Sequence, residues 1–185
     1  VELAKEAFRR MGYRAEFTII DWERKTQLLE TGDIDCVWGS FTINGREDDY
    51  RWAGPYMASR QVVAVMPGSD IETIADLEGR TLAVQSTTKP EELFLTDATL
   101  PALRDLCCFE ILQYMQDYNT EYRILDEPLQ VVGLGVAFGK NDVRGLETQL
   151  TATLDEMRAD GTLAAIIGKY LANPEKFLEV DGLVE

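Results

Sequence analysis

Gly32-Asp33-Ile34-Asp35-Cys36-Val37-Trp38-Gly39-Ser40-Phe41-Thr42-Ile43-Asn44-Gly45-Arg46 holds a helix stop, an apolar strand, a hydroxyl-bearing turn and an arginine in one short run. Gly32 is the residue type that closes helices in the left-handed conformation. The strand reads from Asp35 to Gly39, and the turn from Ser40 to Arg46 stands at its carboxyl end. In open α/β sheets, ligands sit beyond the carboxyl ends of the strands. Hydroxyls and free backbone N–H groups bond one carboxylate oxygen while a guanidinium fork grips both, a planar match that lysine does not reproduce. Ser40, Thr42 and Arg46 are therefore candidate carboxylate ligands, against the plainer reading of a Ser/Thr/Gly/Asn loop.

Upstream, Leu3, Ala4, Ala7, Phe8 and Met11 recur at helical spacing and Gly12 follows as a stop. Arg14 to Ile20 reads as a strand, and Asp21 as the N-cap of a helix over Trp22 to Glu30. Helix, strand, helix, strand is the rhythm of an α/β unit with a parallel sheet.

Downstream, Trp52 to Tyr56 leads into an apolar strand over Arg60 to Met66, broken by Pro67-Gly68-Ser69-Asp70. A short helix at Thr73 to Leu77 and a strand at Thr81 to Gln85 restart the same rhythm near residue 67. Ser86, Thr87 and Thr88 follow that strand, Thr88 to Glu91 fits a capping box, and Pro90 suits a first helical turn. Helix starts present unpaired N–H groups and positive potential, so this is a second candidate anion site, with simple capping as the competing reading. Ile111 to Tyr118 reads as a helix, and Tyr122 to Leu125 as a strand. Val131 to Phe138 reads as a long strand beside Arg60 to Met66, the pair forming two hinge crossings between lobes. Two helices end the chain, striped by Leu146, Leu150, Leu154 and Met157, then by Leu163, Ile166, Ile167 and Tyr170.

The chain has 185 residues, 45% of them apolar and 28% charged, which is ordinary globular usage. A net charge of -15 repels phosphate backbones and anionic lipid, which argues against a nucleic-acid partner. The absence of histidine excludes imidazole zinc sites and histidine-based triads, and the three cysteines have no metal spacing. Neither a metal nor another cofactor is expected. No run approaches the roughly 18 apolar residues that a bilayer span needs. Val1 to Lys5 already reads as the inside of a helix, so the mature chain is expected to have lost its beginning.

The ordered signals resemble the type II periplasmic solute-binding proteins, specifically the family that binds amino acids for ABC importers. The resemblance covers nearly the whole chain. It rests on Gly32-Asp33-Ile34-Asp35, Phe41-Thr42-Ile43 with Arg46, and Gly54-Pro55-Tyr56. It continues in Asp76-Leu77-Glu78-Gly79, Leu82-Ala83-Val84-Gln85, Thr87-Thr88, Val136-Ala137-Phe138-Gly139-Lys140 and Met157-Arg158-Ala159-Asp160-Gly161-Thr162.

The resemblance implies a two-lobed α/β fold in which each lobe is a mainly parallel sheet flanked by helices. Lobe 1 would take residues 1–60 and 132–185 without its first strand, and lobe 2 would take 61–131. It implies a monomeric, non-catalytic binding protein on the periplasmic or extracellular face of the membrane, with or without a lipid anchor, delivering an amino acid to an ABC permease. Arg46 would grip the α-carboxylate with Thr42 and Ser40. Thr87 and Thr88 would close on it from the second lobe, next to Ser86. Trp22 would form a wall, with Phe41 and Gln85 lining the pocket. Two alternatives use the same fold: a sensor domain of a receptor or kinase, and a cyclohexadienyl-dehydratase-like enzyme, which would need a pocket acid or base.

Three departures accompany the resemblance. The spacing from Thr42 to Arg46 is one residue short of the commonest pattern. The family's first strand is absent. Between Cys108 and Leu112 a few dozen family residues are missing, including an acidic residue that commonly binds the ligand amino group. Deleting a central strand and helix would expose a lobe's core, so an omission from the given sequence is expected there.

Overall fold

The computed structural model describes residues 1–108, 121–171 and 173–184. Its helices are α1 (Glu2–Arg10), α2 (Lys25–Thr31), α3 (Lys89–Thr96), α4 (Leu146–Ala159) and α5 (Thr162–Ile167). Its strands are β1 (Val37–Thr42), β2 (Arg51–Gln61), β3 (Ala64–Val65), β4 (Thr81–Val84), β5 (Asp105–Cys108), β6 (Arg123–Ile124) and β7 (Gln130–Phe138). The chain divides into two compact units, one of Val1–Ser59 with Val132–Glu185 and the other of Arg60–Val131.

In the first unit β1, β7 and β2 form one sheet in the order β1-β7-β2. β1 runs antiparallel to β7, with Val37 opposite Ala137, Phe41 opposite Gly135 and Thr42 opposite Leu134. The ladder skips between Val37 and Phe41, and Ser40 takes φ 56° inside that irregularity. Leu3 and Ala7 of α1, Val132, Leu134, Val136 and Phe138 of β7, and Leu150, Leu154, Met157 and Leu163 of α4 and α5 share one core. Arg10 clasps the α4–α5 corner, donating to Asp160 at 2.6 Å and Thr162 at 2.8 Å. Arg51 Nε donates at 2.8 Å to Glu147, a carboxylate that is itself buried.

The second unit pairs β4 with β5 in parallel and β3 with β6 antiparallel. Its core is small, centred on Val63, Ile74, Leu77 and Leu125. A 3-10 turn over Ile74–Leu77 carries a capping box between Thr73 and Asp76.

Several expectations need correction. Arg14 to Ile20 is not a strand: it is irregular, with Phe17 half exposed and Ile19 fully exposed, so its apolar pattern meets no partner sheet among the described residues. β1 continues through Ser40, Phe41 and Thr42, because the irregularity lets the chain stay on the ladder past Gly39. Arg60 to Met66 is not one strand; β2 ends at Gln61 and β3 takes up only Ala64–Val65. The β1–β7 pair is antiparallel, and the parallel pair among the described residues is β4–β5. Tyr170 lies beyond α5 and donates to Glu2 at 2.8 Å instead of joining the core. The expected helix at 111–118 and the expected omission near 108–112 lie outside the described residues.

Gly135 is where close approach matters. A Cβ there would sit 2.7 Å from both Cδ1 and Cγ1 of the buried Ile43 and 2.9 Å from the Trp52 ring, so both side chains would have to shift. Gly135→Ala should therefore cost about 1–3 kcal/mol. Urea unfolding should show a lower midpoint at an unchanged slope.

Candidate functional site

The Asp21 carboxylate accepts the Glu23 N–H at 3.1 Å and starts a 3-10 turn, Trp22–Arg24, that continues as α2. Gly32 ends α2 at φ 74°, as its residue type predicts. The spacing of Trp22, Lys25 and Leu29 sets all three on one helical face, turned toward β1. Lys25 is 6% exposed and donates from Nζ to the Trp22 carbonyl at 3.2 Å.

Phe41 is the hub of an aromatic cluster. Its ring centroid lies 5.1 Å from Trp22, 5.2 Å from Tyr50 and 5.0 Å from Trp52, all at steep edge-to-face angles. Two cations meet that ring: Lys25 Nζ at 5.8 Å and the Arg46 guanidinium carbon at 5.7 Å from its centroid. Lys25 also lies 4.9 Å from the Trp22 centroid. Such contacts are worth about 0.5–1 kcal/mol when exposed and about 2 when desolvated. Burial holds the Lys25 ammonium below its ordinary pKa, the Arg46 charge adds to the shift, and Glu23 opposes it.

The backbone under Arg46 is tied on every side. Its N–H donates to the Ile43 carbonyl at 2.8 Å, and its own carbonyl accepts from Trp52 Nε1 at 2.9 Å and from the Asp49 N–H at 3.0 Å. Ile43 N–H donates to Gly133 at 3.0 Å, and Asn44 accepts the Gly133 N–H at 2.9 Å while donating to the Leu183 carbonyl. Arg46 is thus a half-buried guanidinium on a turn whose backbone is fixed.

The structure thus brings Trp22, Phe41 and Arg46 together. Phe41 is 2% exposed, so its ring lies beneath the surface. Thr42 is buried on the β1–β7 ladder, and Ser40 is exposed at its left-handed position. The Ser40 N–H and the Trp38 side chain both reach Tyr56, whose phenol burial pushes up to about 12. The sequence reading missed Lys25 and Asn44. The stripe of Trp22, Lys25 and Leu29 was the signal for Lys25, since it puts a cation on an otherwise apolar face.

In the second unit Gln85 and Thr87 are exposed, and Ser86 and Thr88 half-buried, at the start of α3. The expected capping box is not formed: Thr88 has no side-chain cap bond and donates instead to the Gln85 carbonyl at 2.6 Å. Glu91 accepts from Thr87 N–H at 2.7 Å, because Thr87 turns left-handed (φ 57°) and offers its amide first.

A separate cavity of about 510 Å³ lies within the first unit, lined by Ala4, Phe8, Phe17, Cys36, Trp38 and Leu146 among others. None of the expected site residues lines it. Cys36 is a free thiol there, pushed up to about 12 by burial and by Asp35. Among the described residues there is no cluster of metal-ligating side chains and no helix long and apolar enough to cross a membrane.

Residues 1–173 match the family described as bacterial extracellular solute-binding proteins, family 3. The chain belongs to that family. This family-3 chain is 26% identical to the L-cystine-binding protein TcyA of Bacillus subtilis, covering 92% of the chain and 70% of the relative. It is 24% identical to the glutamate-binding protein GluB of Corynebacterium glutamicum, over 86% of the chain and 65% of the relative's length. The solved structure of Tv2483 bound to L-arginine superposes with a TM-score of 0.80 at 27% identity, over 92% of this chain and 79% of that one. The fold is the α/β, two-lobed type II fold of periplasmic binding proteins.

Tyr56 gives a pH test of its own burial, which raises its pKa against the contacts from Trp38 and Ser40. The unfolded phenol ionises near 10 and the folded one near 12, so its share of stability is complete below pH 10 and is lost as pH rises toward 12. Urea midpoints of the natural protein should fall more steeply between pH 10 and 12 than those of Tyr56→Phe. Identical slopes would contradict the shift.

Proposed function

We propose that this chain is the substrate-binding component of an amino-acid ABC importer and that Arg46 grips the ligand's carboxylate. The observation that carries this reading is the Arg46 guanidinium, held over the Phe41 ring on a turn whose backbone is bonded on both sides. Family membership supplies the class of ligand, since relatives are named for glutamate and L-cystine binding.

In this reading Trp22 walls the site, Phe41 floors it, and the exposed Ser40 offers its hydroxyl. Thr42, being buried, serves through the strand it holds in register with Leu134. In the second unit, Gln85, Ser86, Thr87 and Thr88 give a helix start with hydroxyls and amide N–H groups suited to an anion. The chain works as a monomer on the periplasmic or extracellular face of the membrane, with or without a lipid anchor, and its macromolecular partner is a permease. It is not a catalyst: the site offers hydroxyls, aromatic rings and cations, and the chain has no histidine to shuttle protons.

Arg46→Ala tests this directly. Truncating one partner of a buried, hydrogen-bonded charge pair costs about 2–5 kcal/mol, so affinity for the amino acid should fall at least about thirtyfold by calorimetry. Arg46→Lys should recover only part of it, because an ammonium lacks the planar fork. Unchanged affinity in Arg46→Ala would overturn the assignment.

A further inference from the structure

We propose that the cavity of the first unit is the seat of an extended strand, supplied by the segment directly ahead of Val1 in the polypeptide, which pairs with the free edge of β1.

Three observations meet at that cavity. β1 stands at the end of the β1-β7-β2 order, so one of its edges has no neighbouring strand among the described residues. Proteins blunt such edges with charges or proline, or cover them, yet Val37–Thr42 carries neither charge nor proline. Residues 14–20 alternate like a half-buried strand in Ala15, Phe17 and Ile19, and among the described residues no main-chain group of 15–20 has a hydrogen bond to another main-chain group. Main-chain groups are obligatory hydrogen-bonding groups, so an apolar alternating run of this kind is a strand without its ladder. Both segments line the same cavity of about 510 Å³, Phe17 from one and Cys36 and Trp38 from the other. Strand residues repeat about every 3.3 Å, about 4.8 Å apart across a sheet and about 10 Å between layers, so that volume takes roughly three of them. Phe8 and Trp38 meet edge to face at 5.9 Å on its wall, an apolar surface for the side chains of such a strand to cover.

α1 decides which segment comes there. Parallel strands are joined by a crossover of a dozen or more residues, usually a helix. α1 and the turn after it, over residues 2–13, make a crossover of that length and lead into 14–20. A strand ahead of Val1 thus completes a βαβ unit beside 14–20, in the right-handed sense such units adopt. Ala4, within one helical turn of Val1, already lines the cavity. A tether that short holds the segment at an effective concentration of about millimolar. A second copy of the chain competes poorly, because bodies of net charge -15 repel each other.

Hydrogen exchange on the natural polypeptide, with its residues upstream of Val1, tests the proposal. Amides of 15–20 and 36–38 should exchange at least about tenfold more slowly than in the chain that begins at Val1. Phe17→Asp separates a docked strand from a loop, since Phe17 is half exposed here. It should leave the melting temperature of the chain from Val1 within about 1 °C and lower that of the longer polypeptide by about 3 °C or more. Should the chain from Val1 not fold, the longer polypeptide decides alone: its 15–20 amides should be protected to the degree of β7.

Exchange of 15–20 at the rate of an unstructured loop in the longer polypeptide overturns the proposal, as does a natural polypeptide that begins at Val1. Protection that appears in the chain from Val1 only as its concentration rises assigns the cavity to a second copy and overturns it too.

Discussion

Phe41 facing Gly135 across the β1–β7 ladder is the contact on which the first unit's site depends. With no Cβ at 135, Ile43 and Trp52 close over β7 at distances that a methyl group would forbid. Trp52 in that position both packs on Phe41 and holds the Arg46 carbonyl through its indole N–H. Asn44 bonds the same strand one glycine earlier, at Gly133. A ladder register thus fixes a turn, and the turn fixes a guanidinium.

The chemistry of the platform follows from what surrounds it. Edge-to-face packing directs the rings of Trp22, Tyr50 and Trp52 against Phe41, and ring faces attract cations. This lets the first unit keep Lys25 and Arg46 close to each other despite their repulsion.

Much of this was legible in the residues. The α1 stripe, the Asp21 cap, the Gly32 stop, the long β7 run and the α4 stripe follow period and punctuation, which local sequence determines. Arg46 stood in the residues only as a candidate beside the plainer reading of a loop, and Phe41 entered through the family resemblance, because a strand-end turn looks the same whether or not it meets a ligand. Arg14 to Ile20 misled because alternation records a preference to face apolar matter, and it does not record which partner supplies it. Ser40 to Thr42 misled because small residues suit both a turn and an irregular strand, and the choice is made by β7. Thr88 and Glu91 had the spacing of a capping box, yet the left-handed Thr87 offered a nearer amide. Lys25 escaped because its meaning lies in the rings of Trp22 and Phe41, the latter distant in sequence.

The central claim is that the anchored Arg46 guanidinium receives a ligand carboxylate above the Phe41 floor. A crystal structure of the protein grown with a saturating amino acid that raises its melting temperature tests it most directly. The account predicts a carboxylate paired to Arg46 through two N–H···O bonds of about 2.7–2.9 Å. A bound amino acid whose carboxylates are held elsewhere, with Arg46 left to solvent, would contradict it.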